Sequence, residues 1–160
     1  MRVRISIAAS LLLTGCATTG EFTAISVDRL PGYGNTPSYT VEVRRDGSVK
    51  YEGRTNVKED GVEYGSITTE DWILLEAALS GSGFSKMQDS YGNSSVGCTS
   101  TWNHHPTIKV TVTRGQSSKT VSYYTGCWGL REGSIISWLA DTTDMVAGSG
   151  RWVYETLEDF

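Results

Sequence analysis

The chain has 160 residues, with 14 basic and 18 acidic side chains, a formal charge of −4, 38% hydrophobic residues and 20% charged residues. A chain of that size supports one core that buries roughly two-thirds of its unfolded surface. The acidic balance argues against nucleic acid as a partner, since affinity for phosphate backbones comes mostly from Lys and Arg, and against an electrostatic grip on anionic lipid headgroups.

Arg2 and Arg4 form a positive N-terminal region, and Ile5 to Leu13 an apolar run about half as long as the roughly 20 residues a spanning helix needs. The pattern predicts an export signal peptide over residues 1–15. Leu13-Thr14-Gly15-Cys16 resembles the lipobox of bacterial lipoproteins. The resemblance implies diacylglycerol on the Cys16 sulfur, cleavage before that residue and acylation of the new amino end, a lipoprotein labelled by palmitate. The alternative is an ordinary secretory signal with an incidental cysteine. Each buried methylene contributes about 0.8 kcal/mol, so two or three acyl chains tether the protein to the membrane. Ala17, where the inner-membrane retention signal has aspartate, points to the outer membrane and by default to the periplasm. Losing Arg2 and Arg4 leaves 12 basic and 18 acidic residues, a net charge of −6. Residues 16–21 form the tether, and residues 22–160 are expected to form a single α+β domain.

Ile25 and Val27 alternate with Ser26 and Asp28, which predicts a first strand. Leu30 to Pro37 is rich in Gly and Pro and breaks regular structure. Tyr39, Val41 and Val43 then alternate with Thr40, Glu42 and Arg44, and Asp46-Gly47 turns the chain into Val49 and Tyr51, a hairpin. Thr68 with Asp71 forms a capping-box signal, and Trp72, Leu75 and Leu79 share one face, predicting a helix over 69–80 that stops at Gly81. Ile108, Val110 and Val112, the Gly115 turn, and Val121 with Tyr123 predict a second hairpin. Ile135, Leu139, Thr142 and Val146 predict a second helix ending at Gly148, with Trp138 and Met145 alongside. Trp72 and Trp138 are assigned to the core. The fold class expected is α+β, an antiparallel sheet of two hairpin-helix units plus an N-terminal strand, with both helices on one face.

With Cys16 assigned to lipid, Cys98 and Cys127 remain. In an oxidising compartment they are expected to form a disulfide, a metal site or nucleophile being the weaker alternative without a second cysteine at CxxC spacing.

Pro31-Gly32-Tyr33-Gly34-Asn35-Thr36-Pro37-Ser38-Tyr39-Thr40, the Asp46-Gly47 hairpin, Tyr51-Glu52-Gly53 and Arg151-Trp152-Val153 together resemble a bacterial domain-of-unknown-function family, family 6438, over roughly Ile25 to Val153. The loop of that family carries two cysteines in the pattern Pro-Cys-aromatic-Gly-x-Cys-Pro-x-Tyr. Gly32 and Thr36 stand at those positions here, so a redox or metal role built on that pair is absent. The resemblance implies the fold and an envelope setting and brings no established activity.

His104 and His105 are the only histidines. On extended backbone their side chains point to opposite faces, which places them poorly for one metal, and no HxH or HExxH accompanies them. No metal and no cofactor are expected. No serine lies in GxSxG, and Gly32 to Gly34 lacks the Lys-Ser or Lys-Thr of a phosphate loop. Tyr91, Trp102, Tyr124 and Trp128 lie around the two cysteines and, with both histidines, form a candidate binding surface; the plain alternative is that the rings fill the core. The expected function is a lipid-anchored envelope protein with a non-catalytic protein- or glycan-binding module. The alternative is a periplasmic hydrolase or metal-dependent enzyme using His104 or His105, which requires convergent titratable groups around a concavity.

Overall fold

The computed structural model describes residues 21–92 and 97–155, so the signal peptide, the lipobox with Cys16 and all of the tether except Glu21 lie outside the described residues. In chain order the elements are β1 (Phe22–Leu30), β2 (Ser38–Arg44), β3 (Ser48–Thr55), β4 (Gly61–Ser66), α1 (Thr69–Ser82), a 3-10 turn (Phe84–Lys86), β5 (Ser90–Tyr91) and β6 (Ser100–Thr101). They continue with β7 (Thr107–Arg114), β8 (Ser117–Tyr124), β9 (Cys127–Trp128), α2 (Arg131–Ala147) and the short α3 (Gly150–Val153).

Seven strands form one sheet in the order β4-β3-β2-β1-β7-β8-β5, while β6 and β9 make a separate two-stranded ribbon. β1 is central, because it pairs antiparallel with β2 on one side and with β7 on the other. The period-two pattern explains the layering. Tyr51, Val41, Val27, Val110 and Val121 stand directly opposite one another across five neighbouring strands, and all five are fully buried. Each such side chain contributes about 1.5–3 kcal/mol by leaving water. One residue along, Glu52, Thr40, Asp28, Lys109 and Ser122 form the matching row on the opposite, polar face.

The two main helices cover the apolar face, as the expected α+β class requires. Trp72 of α1 stacks on Phe22 of β1 with ring centroids 4.4 Å apart. The Thr68 capping box is present: its hydroxyl accepts from the Asp71 amide, and the Asp71 carboxylate accepts from the Thr68 amide.

Four expectations change. The sheet is antiparallel except at one edge, where β5 runs parallel to β8. β4 extends the first hairpin into a three-stranded meander; it escapes periodicity because its Val62 and Tyr64 are exposed on an edge strand. α1 passes Gly81 and ends at Gly83, whose φ of 71° only glycine adopts readily. The Ser82 hydroxyl sustains that last turn by donating to the Leu79 carbonyl while accepting from the Phe84 amide.

The fourth change concerns α2. Its fully buried stripe is Ile136, Leu139, Ala140, Thr143 and Ala147; of the expected face Leu139 is in that stripe and Ile135 and Val146 pack half-buried at its edge, whereas Trp138 is 50% exposed instead of lying in the core. Trp138 lies outside that stripe, on the face that α2 turns to solvent.

Candidate functional site

Two neighbouring features occupy the Leu30 end of β1, where Leu30 pairs with Thr107, while Phe22 pairs with Arg114 at the opposite end. The first is the ribbon of β6 and β9, in which Ser100 faces Trp128 and Thr101 faces Cys127. The Trp102 amide extends it by donating to the Gly126 carbonyl at 2.9 Å. Cys98 and Cys127 are joined by a disulfide, with Cα atoms 5.1 Å apart, and Cys127 is fully buried. The Tyr123 hydroxyl donates to the Cys127 carbonyl at 2.8 Å, fixing the ribbon to β8.

Side chains alternate along a strand, so this register puts Trp102 and Trp128 on one face of the ribbon as diagonal neighbours. Both indoles are exposed, at 62% and 59%. Trp128 also borders a shallow groove of about 550 Å³ shared with Leu130, Arg131, Ser134 and Ser137.

The other residues of the expected surface have different roles. Tyr124 is structural: its hydroxyl donates to the Trp102 carbonyl at 2.7 Å and accepts from the His105 amide at 3.1 Å. Tyr91 is buried on β5, its hydroxyl accepting from the Gln88 amide, so it does not share the ribbon's surface. The exposed His104 takes a φ of 68° and meets Tyr33 edge-on at 5.6 Å, while His105 is half-buried. Among the described residues no three His, Cys, Asp or Glu side chains gather as a metal site.

Tyr33, 83% exposed, belongs to this surface although the sequence reading passed over it. Its signal was an aromatic between two glycines in a loop, a ring with no apolar face to join. Its amide donates to the His104 carbonyl at 2.8 Å. A Cβ on the preceding Gly32 would lie 2.6 Å from the His104 carbonyl oxygen and 2.7 Å from the Pro106 nitrogen. Both obstacles are backbone, so Gly32→Ala should separate the two loops and lower stability by about 1–3 kcal/mol. Urea unfolding checks this, and the Tyr33 amide should exchange faster in the variant; an unchanged midpoint would show that the loops do not depend on this contact.

The second feature was not visible in sequence. Arg29 from the end of β1 donates through Nε to Asp144 Oδ2 at 2.7 Å and through Nη2 to Asp141 Oδ1 at 2.7 Å. Asp144 Oδ1 accepts from the Ser149 hydroxyl at 2.7 Å, and the buried Tyr39 lines the cavity beside this network. Burial pushes the Asp144 carboxyl above its ordinary range, against the pull of Arg29, Ser149 and Tyr39. Burial also pushes the Tyr39 phenol up, and the charge of Asp144 adds to it. For Arg29 burial opposes the charge, but Asp144 and its other partners outweigh that and raise its pKa. This network sits beside a cavity of about 700 Å³ between the ends of β1 and β7, the C-terminus of α2 and α3. Its bond between Arg29 and Asp144 joins residues 115 positions apart in sequence, and no spacing motif joins the members.

No curated protein matches the chain. Residues 23–144, which are 122 of the 160, match the family described as Domain of unknown function (DUF6438). That span takes in every strand but for the first residue of β1, the disulfide, Trp102, Trp128 and the Arg29–Asp144 pair, and the chain belongs to this family.

Proposed function

We propose that this is a lipoprotein held at the periplasmic side of the outer membrane through acyl chains on Cys16, and that its domain is a non-catalytic module that takes a cell-wall glycan on Trp102 and Trp128. The observation that carries the glycan reading is the pair of indoles exposed on one face of a disulfide-stapled ribbon. Flat rings stack on the C–H faces of sugars, and rigid placement lowers the ordering cost of binding. Arg131, Ser134 and Ser137 beside Trp128 supply donors for hydroxyl and acetamido groups. The tether would enter at the Phe22 end of β1, and nine residues of strand span about 30 Å between that end and the end of β1 where the ribbon lies. No observation favours the hydrolase or metal-enzyme alternative on His104 or His105, around which no ligand cluster gathers among the described residues.

The glycan reading is tested by cosedimentation of the soluble domain, Glu21 to Phe160, with insoluble peptidoglycan. The domain should pellet with the sacculi, and Trp102→Ala with Trp128→Ala should weaken binding at least about tenfold, the effect of losing roughly 1.4 kcal/mol or more. No pelleting, or equal pelleting of the double variant, would overturn it. For the anchor, Cys16→Ser should release the protein from membranes and abolish palmitate incorporation. Continued labelling of that variant would refute the lipidation.

A further inference from the structure

We infer that the outer face of α1 rests on the bilayer that holds Cys16, with Ile73 and Leu74 dipping among the lipid headgroups. This rests on the acyl-anchor reading above and adds the orientation that an anchor alone leaves open. α1 buries a stripe of Trp72, Leu75, Ala78, Leu79 and Ser82. That register turns Ile73, Leu74 and Ala77 outward at helical spacing, and Ile73 and Leu74 are each 55% exposed.

Single exposed apolar side chains are ordinary on a protein surface; the position of this pair is what points to lipid. Trp72 stacks on Phe22, so Ile73 and Leu74 stand within about one helical turn of the place where the tether enters β1. Cys16 precedes Phe22 by six positions, and six extended residues reach about 20 Å at most. Acyl chains on Cys16 would therefore hold this corner of the domain against the membrane, where lipid is at high local concentration and a small apolar contact suffices. Met145 is more exposed still, but it borders the cavity at the opposite end of β1 and has no such proximity. The contact is apolar rather than electrostatic. Glu70 and Asp71 lie in the first turn of the same helix, so a zwitterionic bilayer suits this corner better than an anionic one.

The test supplies the anchor chemically, so its outcome does not depend on acylation in the cell. The chain from Cys16 to Phe160, with Cys98 and Cys127 joined, is coupled through the Cys16 thiol to a maleimide lipid in phosphatidylcholine nanodiscs, one chain per disc, with and without a nitroxide-bearing lipid. The methyl resonances of Ile73, Leu74 and Ala77 should broaden with the nitroxide, while that of Met145 stays sharp. Ile73→Gln with Leu74→Gln, at exposed positions and with unchanged circular dichroism, should reduce the broadening of Ala77 at least about threefold, since interfacial binding scales with buried apolar area. No broadening in the wild-type chain, or broadening of Met145 equal to that of Ala77, overturns the docking, whereas failure of the anchor itself is read separately by palmitate labelling of Cys16→Ser. Unchanged broadening of Ala77 in the double variant overturns the role of the two side chains. Shifts of Ile73 and Leu74 that grow with protein concentration in the absence of lipid would assign the face to a second copy of the chain and overturn the bilayer.

Discussion

Arg29→Met is expected to destabilise the domain by about 3–5 kcal/mol at pH 7, because it leaves the Asp144 carboxylate buried without its cation. The Asp144 side chain is only 14% exposed, so water cannot replace the lost guanidinium. The pH dependence follows from the direction of its shift. Burial already holds the Asp144 carboxyl above its ordinary value, and removing Arg29 raises it further. For an acid whose folded pKa is raised, the stabilisation is complete below the unfolded pKa, near 4, and is lost as pH rises through the folded value. The deficit of Arg29→Met should therefore shrink between pH 7 and about pH 4.5 as Asp144 takes a proton. Adding Asp144→Leu should restore much of the stability at pH 7, since an apolar replacement removes the unpaired charge. Urea titrations of the three chains at both pH values provide the measurement. A loss below about 1 kcal/mol, or a deficit independent of pH, would mean that the pair does not clamp β1 to α2.

Reduction of the Cys98–Cys127 disulfide should lower stability by about 3–4 kcal/mol on the chain-entropy account of a loop this long, the two cysteines being 29 positions apart. The loss should be uneven. β6 and β9 are two residues each, too short to persist by strand pairing alone, so the amide of Trp102 should lose most of its protection from hydrogen exchange. α1 and α2 rest on the main sheet and should keep theirs. Hydrogen exchange with and without a reductant reads both effects, and equal protection of Trp102 in the two states would show that the bridge does not hold the ribbon. Under the proposed function, glycan binding by the indoles should weaken in parallel, because their shared face depends on the register between Ser100 and Trp128.

What the sequence revealed were the elements whose signal is local. Val41 with Val43, and Val110 with Val112, alternate with polar residues because each strand has one face on the core. The Thr68 cap is a contact between residues three apart. β4 was missed because an edge strand with no buried face has no alternation to display. β6 and β9 are held by a covalent bond more than by propensity, so no composition announces them. In α2 the bulky residues drew the predicted face toward Ile135 and Val146, which pack at the edge of the core, whereas the buried stripe centres on Ile136 and Leu139 with the small Ala140, Thr143 and Ala147. Of the site, Trp102 and Trp128 were legible through their nearness to the cysteines. Tyr91 was misplaced because a two-residue parallel strand gives no pattern. The Arg29 network is a product of topology: only the central position of β1 carries residue 29 to the end of α2.

That central position also determines how the domain answers a mechanical load. The chain enters β1 at Phe22, and β1 is bonded along most of its length to β2 and β7 at once. A pull from the amino-terminal side, resisted at the ribbon beyond the other end of the strand, acts along the strand axis. Hydrogen bonds on both flanks then share the force in shear, whereas an edge strand pulled sideways would peel open one bond at a time. A domain attached to one surface by its N-terminus and to another by Trp102 and Trp128 would therefore bear tension along its strongest direction.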